Sequence, residues 1–194
     1  PYLMAGILLT TFFNQGVLSS AESIAHNGAI LSKIYVPPQI FPIVTSIAGL
    51  LNFFIGMIPL ALVCVISGQA ISWKFPLVIL VGISLALLVS GIGLVLSILF
   101  IRFDDTRNIV NILLMILIYI TPVFYPLSIL GPRLQVIIQL NPLTSYLDIF
   151  RWAFSNNATV TWIDWVFMFS TSILSILIGS RIFKKYWPRT VAML

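Results

Sequence analysis

Charge is what this chain has least of. Only 8% of its 194 residues are Asp, Glu, Lys or Arg, against about 25% in a soluble globular domain. With 60% hydrophobic residues and a mean hydropathy of +1.11, its main solvent is lipid rather than water. Cysteine occurs once, as Cys64 inside an apolar run, so neither a disulfide framework nor a thiolate metal site can be argued. Histidine also occurs once, as His26, with no companion at metal-ligand spacing. The five acids form no Ser-His-Asp set and no carboxylate pair suited to glycosyl transfer. A Gly-x-x-x-x-Gly-Lys loop is missing too, so the chain does not itself cradle a nucleoside triphosphate. An enzyme is therefore not expected, nor a cofactor bound by this chain.

What the chain has in abundance is long apolar runs. A helix rises about 1.5 Å per residue, so roughly 20 apolar residues cross a bilayer core. Five runs qualify: Leu3–Ser20, Ile40–Ser67, Pro76–Ile101, Ile109–Tyr125 and Trp162–Phe183. The first and fourth are near the lower limit. Ten basic residues against five acids would elsewhere suggest nucleic acid. Here they sit at the ends of the runs, where they act as membrane anchors, and no nucleic-acid partner is expected. No secretory signal is visible, and the chain enters an apolar run directly after Pro1.

The stretch from Pro122 to Asn157 does not fit a span. It is too apolar for an ordinary loop, yet Pro122, Pro126, Pro132 and Pro142 cut it into pieces too short to cross. If it dips in and turns back, Lys33, Arg102, Arg107, Arg181, Lys184, Lys185 and Arg189 share one side of the membrane. Lys74, Arg133 and Arg151 are then left on the other. If it crosses, that asymmetry is lost. The positive-inside rule favours the re-entrant course and a cytoplasmic C-terminus. Five spans then put Pro1 outside, so at least one further span is expected before it.

Within this stretch Asn141 is placed to cap a helix with Pro142 at its first position. Thr144, Asp148, Arg151 and Ser155 form a polar stripe on that helix, opposite Leu143, Tyr146, Leu147, Phe150 and Phe154. A charge at bilayer centre costs about 2.5–3.5 kcal/mol on the insertion scale. Asp148 and Arg151 should therefore pair, face a wet path or lie near the outer headgroups. Aromatic rings with polar tips suit sugars, and Tyr119, Tyr125 and Tyr146 are the expected path residues, with Phe150, Asp148 and Arg151 beside them. Trp162 and Trp165 read as an interfacial belt.

On the other side, Glu22 and His26 share a helix face four residues apart, Gly28 is a plausible stop, and Pro37-Pro38 breaks the chain before the next span. Ile30, Leu31, Lys33, Ile34 and Tyr35 make an apolar–basic strip between them. A second turn runs from Arg102 to Arg107, where Asp105 is placed to cap the next helix and the acids to pair with Arg102 or Arg107. Gly82, Ala86 and Ser90, with Gly93 and Ser97, form a small-residue face for close helix packing. Pro59 should bend the second span.

Three blocks carry a family resemblance. AGILLTTFFNQGVLSSAESIAHNGAILSKIYVPPQIFPI, RFDDTRNIVNILLMILIYITPVFYP and NPLTSYLDIFRWAF occur in that order. Together they resemble the permeases of type-2 ABC exporters that move lipid-linked polysaccharide. The resemblance implies an all-α membrane protein: a polytopic bundle with five visible spans, six in the full chain, and a re-entrant outer helix pair. It implies one permease domain over 1–194 lacking its N-terminal part, a cytoplasmic coupling-helix loop at 21–36 and outer gate helices at 126–157. Glu22, Ser23, His26, Asn27 and Lys33 would then contact the ATPase. The implied partners are a second copy of the chain, two separate ATPase subunits holding ATP and Mg, membrane lipids and a lipid-linked glycan such as O-antigen, capsule or teichoic acid. The implied location is a bacterial or archaeal cytoplasmic membrane. The alternatives are a drug or small-lipid exporter of the same superfamily, a membrane-embedded glycan or lipid enzyme, and a passive channel. The missing acid–base residues disfavour the enzyme, and the missing charged ring disfavours the channel.

Overall fold

The computed structural model describes residues 2–28, 36–68, 72–103, 105–155 and 160–190. Among these there are seven α-helices and no strand: α1 (Tyr2–His26), α2 (Ile40–Ile66), α3 (Leu77–Arg102), α4 (Thr106–Ile120), α5 (Pro132–Gln139), α6 (Pro142–Ser155) and α7 (Trp162–Thr190). A 3-10 turn, Leu127–Ile129, precedes α5. Lys33, the strip around it and Asp104 lie outside the described residues.

Four helices, α1, α2, α3 and α7, are long and apolar enough to span a membrane. The fifth expected span is shorter. α4 has 15 residues, roughly 22 Å of helix. It stops because Thr121 precedes Pro122, and a residue before proline is pushed out of the helical region; Thr121 is extended, at φ −75° and ψ 134°. Pro59 lies inside α2 without ending it.

The bundle is organised around α3, which packs against α1, α2 and α7. Its small residues allow the close approach. A Cβ on Gly82 would strike Leu50 and Phe54 of α2, and one on Gly93 would strike Ser20 of α1. A crossing of backbone on backbone lies at Gly91, off the expected stripes. A Cβ there would overlap Ser175 of α7, and one on Gly179 would overlap the Gly91 carbonyl. Ser175 Oγ donates to the Leu88 carbonyl at 2.9 Å, adding a polar bond to that contact. α2 instead turns Val44, Ile47, Leu51, Ile55, Ile58 and Leu62 outward, which suits a lipid-facing helix.

The helices alternate in direction, so the bundle has two distinct ends. At one, the last turn of α1 joins the first turn of α4 through the Glu22–Arg107 ion pair. Ile24, Leu94, Ile98 and Phe183 form a small core there. At the other end α1 begins, α2 meets α3, and α7 begins. These are called below the His26 end and the Tyr2 end. Arg102, Arg107, Arg181, Lys184 and Lys185 lie toward the first, and Lys74 and Arg151 toward the second, as the charge pattern requires.

Candidate functional site

Both ends of the Pro122–Ser155 stretch belong to the Tyr2 end of the bundle, so it enters and leaves on one side. α5 is a mostly exposed helix that turns Ile138 inward. α6 is the reverse, because nearly every side chain on it is enclosed. Its N-terminus is inserted and its C-terminus emerges. Tyr146 reaches Ser172, ten residues or roughly 15 Å into α7, whereas the Phe154 carbonyl accepts from Ser72 N–H in the α2–α3 link at 3.1 Å.

Local sequence explains how α6 starts so deep. Asn141 Oδ1 accepts the Leu143 N–H at 3.1 Å, the expected cap, while its Nδ2 donates to Thr121 Oγ1 at 2.9 Å. One side chain therefore closes the new helix and ties it to the end of α4. Thr144 Oγ1 donates back to the Ile138 carbonyl at 2.8 Å. Thr161 and Asp164 cap α7 similarly, with Asp164 Oδ2 accepting the Thr161 N–H and hydroxyl, each at 2.8 Å.

The break after α4 poses a problem that Arg151 solves. Irregular backbone at membrane depth is tolerated only where protein or water encloses it. Thr121, Pro122 and Val123 are all buried, and the turn leaves carbonyls with no helical N–H to accept. Arg151, 3% exposed, supplies the donors. Its Nη1 donates to the Pro122 carbonyl at 3.0 Å and to Tyr2 Oη at 2.8 Å. Its Nη2 donates to the Val123 carbonyl at 3.1 Å. The guanidinium also lies 3.5 Å from the centroid of the Tyr2 ring, a cation–π contact strengthened by exclusion of water. A side chain on Gly6 would collide with Val123, so α1 passes close to the break. Three elements, α1, α6 and the α4 exit, thus converge on one permanently charged group.

The expected polar and apolar stripes of α6 are both in place, but they do not divide wet from dry. Thr144 and Arg151 are as buried as Tyr146 and Phe150, because α6 is packed on every side by α1, α3, α5 and α7. Tyr146 and Phe150, each fully enclosed, offer no surface to a path in this arrangement. Tyr146 Oη donates to the Met168 carbonyl at 3.0 Å and bonds Ser172 Oγ, which also reaches the Ser84 carbonyl at 3.0 Å and the Met168 carbonyl at 2.8 Å. That chain links α6, α7 and α3. Phe150 packs its ring 5.6 Å from Phe53. Tyr125 Oη donates to the Tyr119 and Ile120 carbonyls at 3.0 and 3.3 Å, satisfying two more acceptors at the end of α4. Only Tyr119, 64% exposed, is open. Asp148 is partly buried beside Arg151.

At the His26 end, residues 21–26 are the last turns of α1 rather than a separate helix. Ser23 faces inward and donates to the Ser20 carbonyl at 2.7 Å, so it is not placed to meet a partner. Asn27 Nδ2 donates to the Ser23 carbonyl at 2.7 Å. His26 is exposed and Glu22 partly so. Arg107 pairs with Glu22, and Arg102 lies over the Phe103 ring. Asp105 occupies the cap position of α4 but makes no side-chain cap bond. Sequence reasoning missed Tyr2, Thr121 and Ser172. The signal for the first two was present: a proline that breaks a helix in lipid calls for a buried donor.

A polytopic helical bundle, plugged at one end by a re-entrant pair, has the architecture of an integral membrane protein. Residues 1–155 match the family described as ABC-2 type transporter, and the chain belongs to that family. It is 28% identical over 156 residues to the O-antigen export system permease protein RfbA of Myxococcus xanthus, covering 77% of this chain and 58% of that protein. It is 24% identical over 188 residues to a protein of the same name from Klebsiella pneumoniae, covering 95% of this chain and 71% of the relative.

Proposed function

We propose that the chain is the permease subunit of an ATP-driven exporter that moves lipid-linked polysaccharide across a cytoplasmic membrane. ATP and Mg are held by a separate ATPase, two copies of which dock at the His26 end of a permease dimer. The C-terminus is then cytoplasmic and the Tyr2 end faces out. The observation that carries this reading is the similarity to O-antigen export permeases along 95% of the chain. Capsule and teichoic acid remain within the same substrate class.

On this reading α5 and α6 are the outer gate, and the arrangement described is its closed form. Arg151 holds α6 against α1 and the α4 exit, so opening requires those bonds to be exchanged for water or for hydroxyls of the passing glycan. Glu22, His26 and Asn27 stand at the surface where the ATPase would push. Force there reaches α6 along α1, because Tyr2 and Glu22 are two ends of one unbroken helix.

The test is depletion of the full-length protein in its host. Surface polysaccharide should fall, and lipid-linked glycan should accumulate inside. Unchanged surface polysaccharide together with a lost drug-resistance phenotype would overturn this reading.

A further inference from the structure

α1 is the least apolar of the four spans, and its exposed polar residues share one face. At 100° per residue, Thr11, Gln15, Ser19, Glu22 and His26 fall within an arc of about 80°. The first three are exposed although they lie in the spanning part of the helix. Facing them across a groove, α2 presents Thr45 and Asn52. The groove has a volume of about 230 Å³ and is floored by Phe12 and Phe53, with Gly49 letting α2 close on the Phe12 ring. No charged residue lines it. Toward the Tyr2 end the same face of α1 turns apolar at Leu8 and Met4. Toward the His26 end it runs on through Glu22 and His26 to the surface.

From this geometry we propose that the α1–α2 groove is a loading site for an uncharged, hydroxyl-rich carbohydrate segment, entered from the His26 end and closed at mid-membrane. Neutral amides and hydroxyls can donate to and accept from sugar hydroxyls without the desolvation cost of a fixed charge. The aromatic floor offers apolar faces to sugar C–H groups. Lipid is a poor occupant, since it leaves Gln15 and Asn52 without partners. An anionic ligand is a poor one as well, because the lining holds no cation. The one-sided opening fits a site filled from the cytoplasm before the Tyr2 end yields. This proposal rests on the export function above and adds where the substrate first binds.

Single cysteines at Thr11, Gln15, Ser19 and Asn52, in the full-length exporter carrying Cys64→Ser, test it with a charged methanethiosulfonate reagent applied to inside-out vesicles. All four positions should react at least tenfold faster than cysteines at the lipid-facing Val44 and Ile47. Lipid-linked glycan from the host should slow them. Gln15→Leu with Asn52→Leu should cut export tenfold or more at unchanged complex yield, while Gln15→Asn keeps most of it. Cysteines as unreactive as Val44→Cys would overturn the site, since another helix or lipid then covers the groove. So would undiminished export by the double leucine variant. Either result leaves the export function standing, whereas loss of that function shows in the depletion experiment without any groove variant.

Discussion

Two arginines at opposite ends of α1 make different kinds of bond. Arg151 is 3% exposed and held by two backbone carbonyls, a tyrosine hydroxyl and a ring face. The Arg107 side chain is 55% exposed and pairs with the Glu22 carboxylate. The first is bound to groups that cannot leave without unfolding the chain break after α4. The second is bound to one side chain and is itself within reach of water and salt. One end of the bundle is therefore pinned and the other merely latched. On the export function proposed above, the weak contact lies where the ATPase would dock and the strong one where leakage would have to be prevented.

Removing the pin should have the largest effect. Arg151→Ala leaves the Pro122 and Val123 carbonyls buried without donors, at about 1–3 kcal/mol for each such group. We expect a thermal transition in detergent lowered by many degrees, or no folded protein at all. Arg151→Lys separates charge from shape, since an ammonium keeps the charge but cannot bridge two carbonyls and a hydroxyl with one planar fork. It should fold and leak. Proteoliposomes holding the lysine variant should pass a neutral sugar that wild type retains, and equal retention would show that charge alone suffices.

How far this contrast was legible in the sequence depends on the residue. The re-entrant course followed from prolines and the sidedness of basic residues, both of which act locally. The Asn141 cap was legible for the same reason. The burial of α6 was not. A polar stripe at helical spacing normally marks a wet face, but here Thr144 turns back to the Ile138 carbonyl and Arg151 to backbone acceptors nearly thirty residues away. Tyr146 deceived in a similar way: its hydroxyl suits a sugar, yet Ser172 and the Met168 carbonyl already occupy it. Gly91 escaped notice because tight packing depends on which neighbour arrives, and only the fold brings Ser175 and Gly179 there. The Arg107–Glu22 pair was not legible, because Glu22 lies on another helix far away in sequence.

Tyr146→Phe should rank next. It keeps the ring and removes the hydroxyl that ties α6 to α7. Ser172 retains the Ser84 and Met168 carbonyls as acceptors, so the loss should stay near 1 kcal/mol. The expected result is a modestly lowered transition with the bilayer still sealed. A large loss of export without a stability change would mean that this hydroxyl meets substrate in another conformation.

Tyr2→Phe tests the pin more gently. The ring and its cation–π contact remain, and one hydrogen bond to Nη1 is lost while the Pro122 carbonyl stays bound. About 0.5–1.5 kcal/mol is expected, visible as faster hydrogen exchange in the first turns of α1 and little elsewhere.

The latch should yield the smallest change in stability. Exposed ion pairs contribute about 0–1 kcal/mol and are screened by salt, so Glu22→Gln should barely move the thermal transition, and less still at high ionic strength. Its consequence belongs to coupling. With the carboxylate gone, the start of α4 is freed from α1, and basal ATP hydrolysis by the assembled exporter should become less dependent on substrate. Exchanging the charges, Glu22→Arg with Arg107→Glu, should restore that dependence if the pair itself matters. If the exchange fails while the thermal transition stays unchanged, Glu22 acts on the partner surface and not on Arg107. The two ends would then differ in what they touch as well as in how tightly they are held.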